Sequence, residues 1–224
     1  MQIRIEDRPN LSEPVANGLR DRIYDGRLKG GERINEVHLA RDLGVSRTCV
    51  REALSRLVAE EALVAVPRRG CFVRELTRKE FDDIYPIRAL LDPEALRLAG
   101  VPSLESFERL EGLEEQKRAA TDPAARITLD EAWHLELLSA CENEVLMSLI
   151  VHFMRRFRRY GLAFGGDLAV METAQEEHGQ ILRALQRGDV DEACHWLRRN
   201  LTSPKEPILQ WLDERARDAR QEVA

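Results

Sequence analysis

The stretch Leu39-Ala40-Arg41-Asp42-Leu43-Gly44-Val45-Ser46-Arg47-Thr48-Cys49-Val50-Arg51-Glu52-Ala53-Leu54 contains two short amphipathic segments hinged at one glycine. Leu39, Ala40 and Leu43 recur at helical spacing and predict one buried face. Gly44 can take a left-handed turn at no steric cost, and Ser46 is a good N-cap for the segment that follows. Val50, Ala53, Leu54 and Leu57 then repeat every three or four residues and predict a second helix packed on the first. Its opening turns carry Ser46, Arg47, Thr48 and Arg51. This is the build of a helix-turn-helix, whose second helix presents its N-terminal residues to the major groove. Arginine there can bond a guanine edge with two hydrogen bonds or hold a phosphate. The bland alternative is an αα-hairpin with a charged outer face.

The flanks favour the DNA reader. Upstream, Val15, Leu19, Ile23 and Tyr24 predict an amphipathic helix ending near Gly26, and Gly30-Gly31 supplies a turn before Ile34. Downstream, Leu63-Val64-Ala65-Val66, Pro67-Arg68-Arg69-Gly70 and Cys71-Phe72-Val73 read as strand, turn and strand. A hairpin with a basic tip after a helix-turn-helix is a winged helix. Arg68, Arg69 and Gly70 at that tip are placed to meet phosphate or enter the minor groove.

Residues from about 11 to 75 resemble the winged-helix domain of the GntR family of bacterial transcription regulators. The resemblance rests on Gly30-Gly31, Leu43-Gly44-Val45-Ser46-Arg47, Val50-Arg51-Glu52-Ala53-Leu54 and Arg69-Gly70-Cys71-Phe72-Val73. Two positions depart from the family pattern. Cys49 stands where many members carry proline, a harmless exchange in a helix's first turn. Val37 stands where some members place a DNA-contacting arginine, which puts more weight on Arg47 and Arg51.

The chain has 224 residues, of which 43% are hydrophobic, 5% aromatic and 33% charged. That composition suits a mainly helical protein with one small and one medium core. Of 34 Lys and Arg and 40 Asp and Glu, residues 1–76 hold 14 and 12, leaving 20 against 28 in the remainder. An overall charge of −6 argues against indiscriminate coating of nucleic acid. Cys49, Cys71, Cys141 and Cys194 have no CxxC spacing, no signal peptide is evident, and the longest apolar run, residues 145–154, is too short for a bilayer. A cytoplasmic, reduced protein is the expectation.

After Arg74 the texture becomes almost continuously helical. The fold expected is an N-terminal winged helix-turn-helix, three helices plus a small β-hairpin, over residues 9–76, then an all-α bundle of six or seven helices over 77–218. Thr77 with Glu80 predicts a capping box opening a helix to about residue 99. Further helices are predicted from Ser103 to about 120, Pro123 to about 141, the segment Glu142-Asn143-Glu144 to about 164, then over 168–187, 189–202 and 207–220. The cluster Arg155, Arg156, Arg158 and Arg159 covers more than one helix face, so some of it must face solvent and most of it is expected as surface or interdomain charge.

Within the bundle, Asp130 and His134 are four apart, so both project from one helix face, and His178 opens another apolar stripe with Ile181, Leu182 and Leu185. An oxygen and two imidazoles from two helices suit zinc, manganese, nickel or iron. Histidines in such places also serve as hydrogen-bonded core residues.

Residues from about 77 to 215 resemble the FCD domain, the helical effector module of the FadR branch of the GntR family. In many such domains an aspartate, a histidine four later and two further histidines about 22 apart hold a divalent metal at the floor of a ligand cavity. Asp130, His134 and His178 match the first three, and the fourth position falls on Asn200. The exchange implies a metal, zinc first, with three strong ligands and a weak or absent fourth. His195 is no substitute, because five residues place it about 140° around the helix from Asn200. Arg88 resembles an arginine common in FCD domains and is a candidate for binding a carboxylate effector, with an ion pair to Asp92 as the alternative.

These readings converge on a homodimeric regulator, a repressor by expectation, that binds an inverted-repeat operator, contacts no membrane and answers to a small organic acid. A metal-independent regulator with an apolar or fatty-acyl effector is the alternative. A helical metal-dependent hydrolase or hydratase is the rival from another class, and it leaves the winged helix without a role.

Overall fold

The computed structural model describes residues 11–165 and 168–221, and the chain divides after Glu75 into two compact units. In the first, α1 (Ser12–Tyr24) packs on α3 (Arg47–Ala59), and α2 (Glu36–Leu43) packs on α3 beside it. Asn35 caps α2 by accepting from the backbone N–H of Val37 and His38, both at 3.1 Å. Gly44 follows at φ 64° and ψ 30°, and the Ser46 hydroxyl caps α3 by accepting from the Cys49 N–H at 3.1 Å. Val50, Ala53, Leu54 and Leu57 are buried against Val15, Leu19 and Ile23.

The face expected for α2 needs one correction. Ala40 is buried and Leu39 half-buried, but Leu43 is 46% exposed. The left-handed turn at Gly44 reverses the chain, with the Val45 N–H donating back to the Ala40 carbonyl at 3.0 Å, and Val45 instead packs on the core.

The wing is formed by β2 (Leu63–Val66) and β3 (Gly70–Val73), antiparallel with Leu63 opposite Val73. A third strand, β1 (Arg33–Ile34), pairs with the free edge of β3, so the expected hairpin is a three-stranded sheet in the order β1-β3-β2. Two residues are too few to show an alternating pattern.

The second unit contains seven helices among the described residues: α4 (Arg78–Ala99), α5 (Leu104–Ala119), α6 (Pro123–Leu137), α7 (Glu144–Phe164), α8 (Leu168–Gln186), α9 (Val190–Asn200) and α10 (Lys205–Gln221). α6 stops four residues before Cys141, and α10 begins before Pro207, which its first turn accommodates because no helical donor is required there. Thr77 caps α4 through the Glu80 N–H at 3.1 Å, but the Glu80 carboxylate does not complete a capping box. It binds Arg156 at 2.8 Å and the Tyr160 hydroxyl at 3.0 Å.

α4 stays helical through Pro86 and Pro93. Pro93 has no N–H for the Ala89 carbonyl, and the Arg198 guanidinium from α9 donates to that carbonyl at 3.3 Å. The main core gathers Leu96, Leu110, Trp133, Ile150, Ile181 and Leu197, and a second cluster stacks Phe81, Tyr85 and Tyr160 with Ile208 and Leu212. No helix of the described residues is long and apolar enough to cross a membrane.

Candidate functional site: a DNA-reading edge and a helical cavity

The start of α3 gathers the expected DNA-facing residues of the helix-turn-helix. Ser46, Arg47 and Thr48 are exposed in and just before its first turn. Arg51 lies one turn on, 64% exposed, with its Nε donating to Glu36 at 2.9 Å. Glu36 is thus a partner that the sequence reading did not single out. Val37, beside it, is 51% exposed.

At the wing tip, Pro67 and Arg68 occupy the middle of a turn closed by the Arg69 N–H on the Val66 carbonyl at 3.0 Å. Arg68 adopts φ 62°, which projects it from a tight turn. The Arg69 guanidinium lies over the Phe72 ring at 5.6 Å, and Gly70 starts β3 at φ 104°. Arg33 on β1 approaches the same glycine, since a Cβ there would meet its guanidinium at 3.6 Å.

In the second unit the helices enclose a cavity of about 360 Å³. Its lining combines the polar side chains of Arg88, Lys117, Asp130 and His134 with the apolar ones of Tyr85, Phe153, Phe157 and Ile208. Asp130 and His134 are one turn apart on α6, with the His134 Nε2 3.8 Å from an Asp130 oxygen. His178, from α8, is fully buried and lies flat against Trp133, ring centroids 3.6 Å apart at 5°. Its Nδ1 is bonded to Glu114 of α5, and its Nε2 points to within 3.8 Å of Asp130. One donor atom from each of Asp130, His134 and His178 lies within 4.8 Å of the others.

This set fits a divalent metal. The Nε2 of His178, the nitrogen that faces Asp130, is buried without a hydrogen-bond partner. The carboxylate on His178 Nδ1 favours the tautomer that leaves a lone pair on Nε2, the outer arrangement that metal-binding histidines require. Burial, against the opposing pull of Asp130, drives His134 well below the ordinary imidazole value, so its ring is neutral and free to donate near pH 7. Burial pushes the Asp130 carboxyl up, but the Lys117 ammonium 2.9 Å away outweighs it and holds Asp130 below the usual carboxylate range.

The remaining expected residues are placed as follows. Asn200 is buried and lines the cavity, with its Nδ2 turned to α8 and donating to the Ala174 carbonyl at 3.3 Å and to Glu177 at 3.4 Å. Arg88 pairs with Asp92 at 2.5 Å and also lines the cavity, its Nε buried and without a partner. His195 is exposed.

The arginine cluster of α7 is not chiefly surface charge: Arg156 pairs with Glu80, Arg158 with Glu131 at 2.7 Å, and Arg159 is buried, leaving Arg155 exposed. Sequence reasoning also missed Glu114 and Lys117. The available signal is their position on α5, where a Glu and a Lys continue the stripe begun by Phe107 and Leu110.

The chain matches two family models: residues 11–73 match the bacterial regulatory proteins of the gntR family, and residues 83–203 match the FCD domain. It is 32% identical over 190 residues to the Nta operon transcriptional regulator of Aminobacter aminovorans, covering 82% of this chain and 87% of that one. It is 31% identical to a probable D-xylose utilization operon transcriptional repressor of Paenarthrobacter nicotinovorans, covering 82% and 84%. Among solved structures, E. coli McbR/YncC superposes with a TM-score of 0.76 at 26% identity, over 90% of this chain and 98% of that one.

Proposed function

The chain belongs to the gntR family of bacterial regulatory proteins, a winged-helix DNA-binding transcriptional regulator with an FCD domain behind it, and from that premise we propose a dimeric repressor whose operator binding is set by a small carboxylate in the helical cavity. The observation that carries the reading is the cluster of Asp130, His134 and His178, two of which, Asp130 and His134, line that cavity. Two copies of α3 would read the halves of an inverted repeat through Arg47 and Arg51, with Thr48 and the Ser46 backbone on phosphate, while the wing cations Arg68 and Arg69 contact the flanking backbone. Repression needs only occlusion of a promoter, and the similarity to a probable repressor supports that sign.

Asp130, His134 and His178 would hold a divalent ion, zinc first and manganese, nickel or iron as alternatives, with Asn200 at most a weak fourth partner. When bound, such an ion supplies an open coordination position for a carboxylate oxygen. Arg88, held by Asp92 and with an unpartnered Nε, is placed to receive the same carboxylate. The aromatic wall of Tyr85, Phe153 and Phe157 favours an effector with an apolar body behind its acid group. The hydrolase reading gives the winged helix no role, and the relatives above are transcriptional regulators.

A bound effector controls DNA binding only through unequal affinity for the DNA-competent and DNA-incompetent arrangements of the dimer, a coupling of about 5- to 150-fold. The effector is testable without DNA. With zinc present, at least one member of a panel of aliphatic and aryl carboxylates should raise the melting temperature; at 100 times its dissociation constant the stabilisation is about 2.7 kcal/mol. A strong chelator should remove that rise. A rise that survives chelation would favour the metal-independent alternative, and no rise with any member would contradict a carboxylate effector.

A further inference from the structure

The α5 helix brings two charged side chains beside the proposed ligand set. Glu114 and Lys117 have side-chain exposures of 8% and 12%, so neither is a solvated surface charge. The Lys117 Nζ lies 2.9 Å from Asp130 Oδ1, 3.0 Å from Glu114 Oε1 and 3.2 Å from the His178 Nδ1. One ammonium therefore touches a proposed metal-binding carboxylate, the carboxylate that orients a proposed metal-binding imidazole, and that imidazole itself. A cation so placed neutralises two carboxylates, Glu114 at 8% and Asp130 at 38% side-chain exposure.

The same placement sets Lys117 against a divalent ion. Any ion held by Asp130, His134 and His178 shares Asp130 with the ammonium, and two cations on one carboxylate repel strongly away from bulk water. Lysine has a flexible four-carbon stem, and Lys117 lines the cavity. It has somewhere to go.

We propose that Lys117 is a displaceable internal cation: it occupies Asp130 in the metal-free protein, leaves that oxygen when a divalent ion binds, and turns its ammonium into the cavity as a partner for an anionic effector. The proposal rests on the metal reading above and adds a regulation to it. The protein loads metal weakly for its donor set, and loading creates a cation in the cavity that the metal-free state keeps paired. Asn200, at the place of an expected fourth imidazole, acts in the same direction by leaving the ion one strong ligand fewer.

The test is calorimetric titration of zinc into the full chain, comparing the unmodified protein with Lys117→Met, which keeps the stem and removes the charge, and Lys117→Arg, which keeps the charge. Lys117→Met should bind zinc about 10- to 100-fold more tightly, the range over which groups around metal ligands tune affinity. Lys117→Arg should bind no more tightly than the unmodified protein. Equal affinities in the unmodified protein and Lys117→Met would overturn the displacement and leave the metal reading standing. Binding by Lys117→Met alone would support the competition and overturn metal loading of the natural protein. Absence of binding in all three would overturn the metal reading and the displacement with it.

A second measurement needs no variant. Acetylation of Lys117 by an amine-reactive reagent, mapped by mass spectrometry, should rise on saturation with zinc. Unchanged labelling of a zinc-loaded protein would overturn the displacement.

Discussion

Replacing Arg47 and Arg51 together with alanine should lower specific operator affinity by at least about 30-fold, since each base-reading arginine is worth about 1–3 kcal/mol. Both residues lie at the N-terminal end of α3, and neither packs in the core cluster of its unit, so the double variant should fold. The ion pair of Arg51 with Glu36 does not protect operator binding from this loss. At 64% exposure for the arginine it is a solvated pair, worth about 0–1 kcal/mol, and a guanine edge or phosphate can replace the carboxylate at small cost. Fluorescence anisotropy at several salt concentrations separates the roles. Loss confined to the cognate sequence marks base reading, and loss on every sequence with a shallower salt dependence marks phosphate contact. Unchanged affinity and salt dependence would remove α3 from the DNA interface.

The second large effect is expected at His178. His178→Gln should lose zinc by more than the roughly 10- to 100-fold that an outer-shell change costs, because it removes an imidazole donor rather than its support. Glutamine keeps much of the volume stacked on Trp133, and a melting curve checks that the core survives. Exposed His195, replaced in the same way, should leave zinc affinity unchanged. If the His178 variant holds zinc as tightly as the unmodified protein, His178 is a core histidine held by Glu114 and nothing more.

The winged helix was legible because its signals are local. Gly44 at φ 64° and Ser46 on the Cys49 N–H are each decided within a few residues of chain. Leu43 was misplaced for the complementary reason: helical phase assigns a face only while the helix continues, and the turn at Gly44 hands that core position to Val45. β1 is defined by its pairing with residues 37 and 39 positions further on.

In the second unit, Asp130 and His134 were legible as one helical turn. Glu114 and Lys117 were not, because their importance comes from His178, 64 and 61 residues away, and for Lys117 also from Asp130, 13 residues away. The arginines of α7 make the same point. Four cations in five residues read as solvated charge until Glu80 and Glu131 arrive from other helices to pair with two of them.

In the proposed mechanism a carboxylate in the cavity of one unit governs DNA reading by the other. This control is tested most directly by anisotropy titration of the zinc-loaded protein onto an operator selected from fragments of the source genome, with and without a carboxylate that raises the melting temperature. The expected result is sequence-specific binding to an inverted repeat, an affinity lowered by about 5- to 150-fold when the carboxylate is present, and no such change in His178→Gln. An operator affinity that the bound carboxylate leaves unaltered would contradict it.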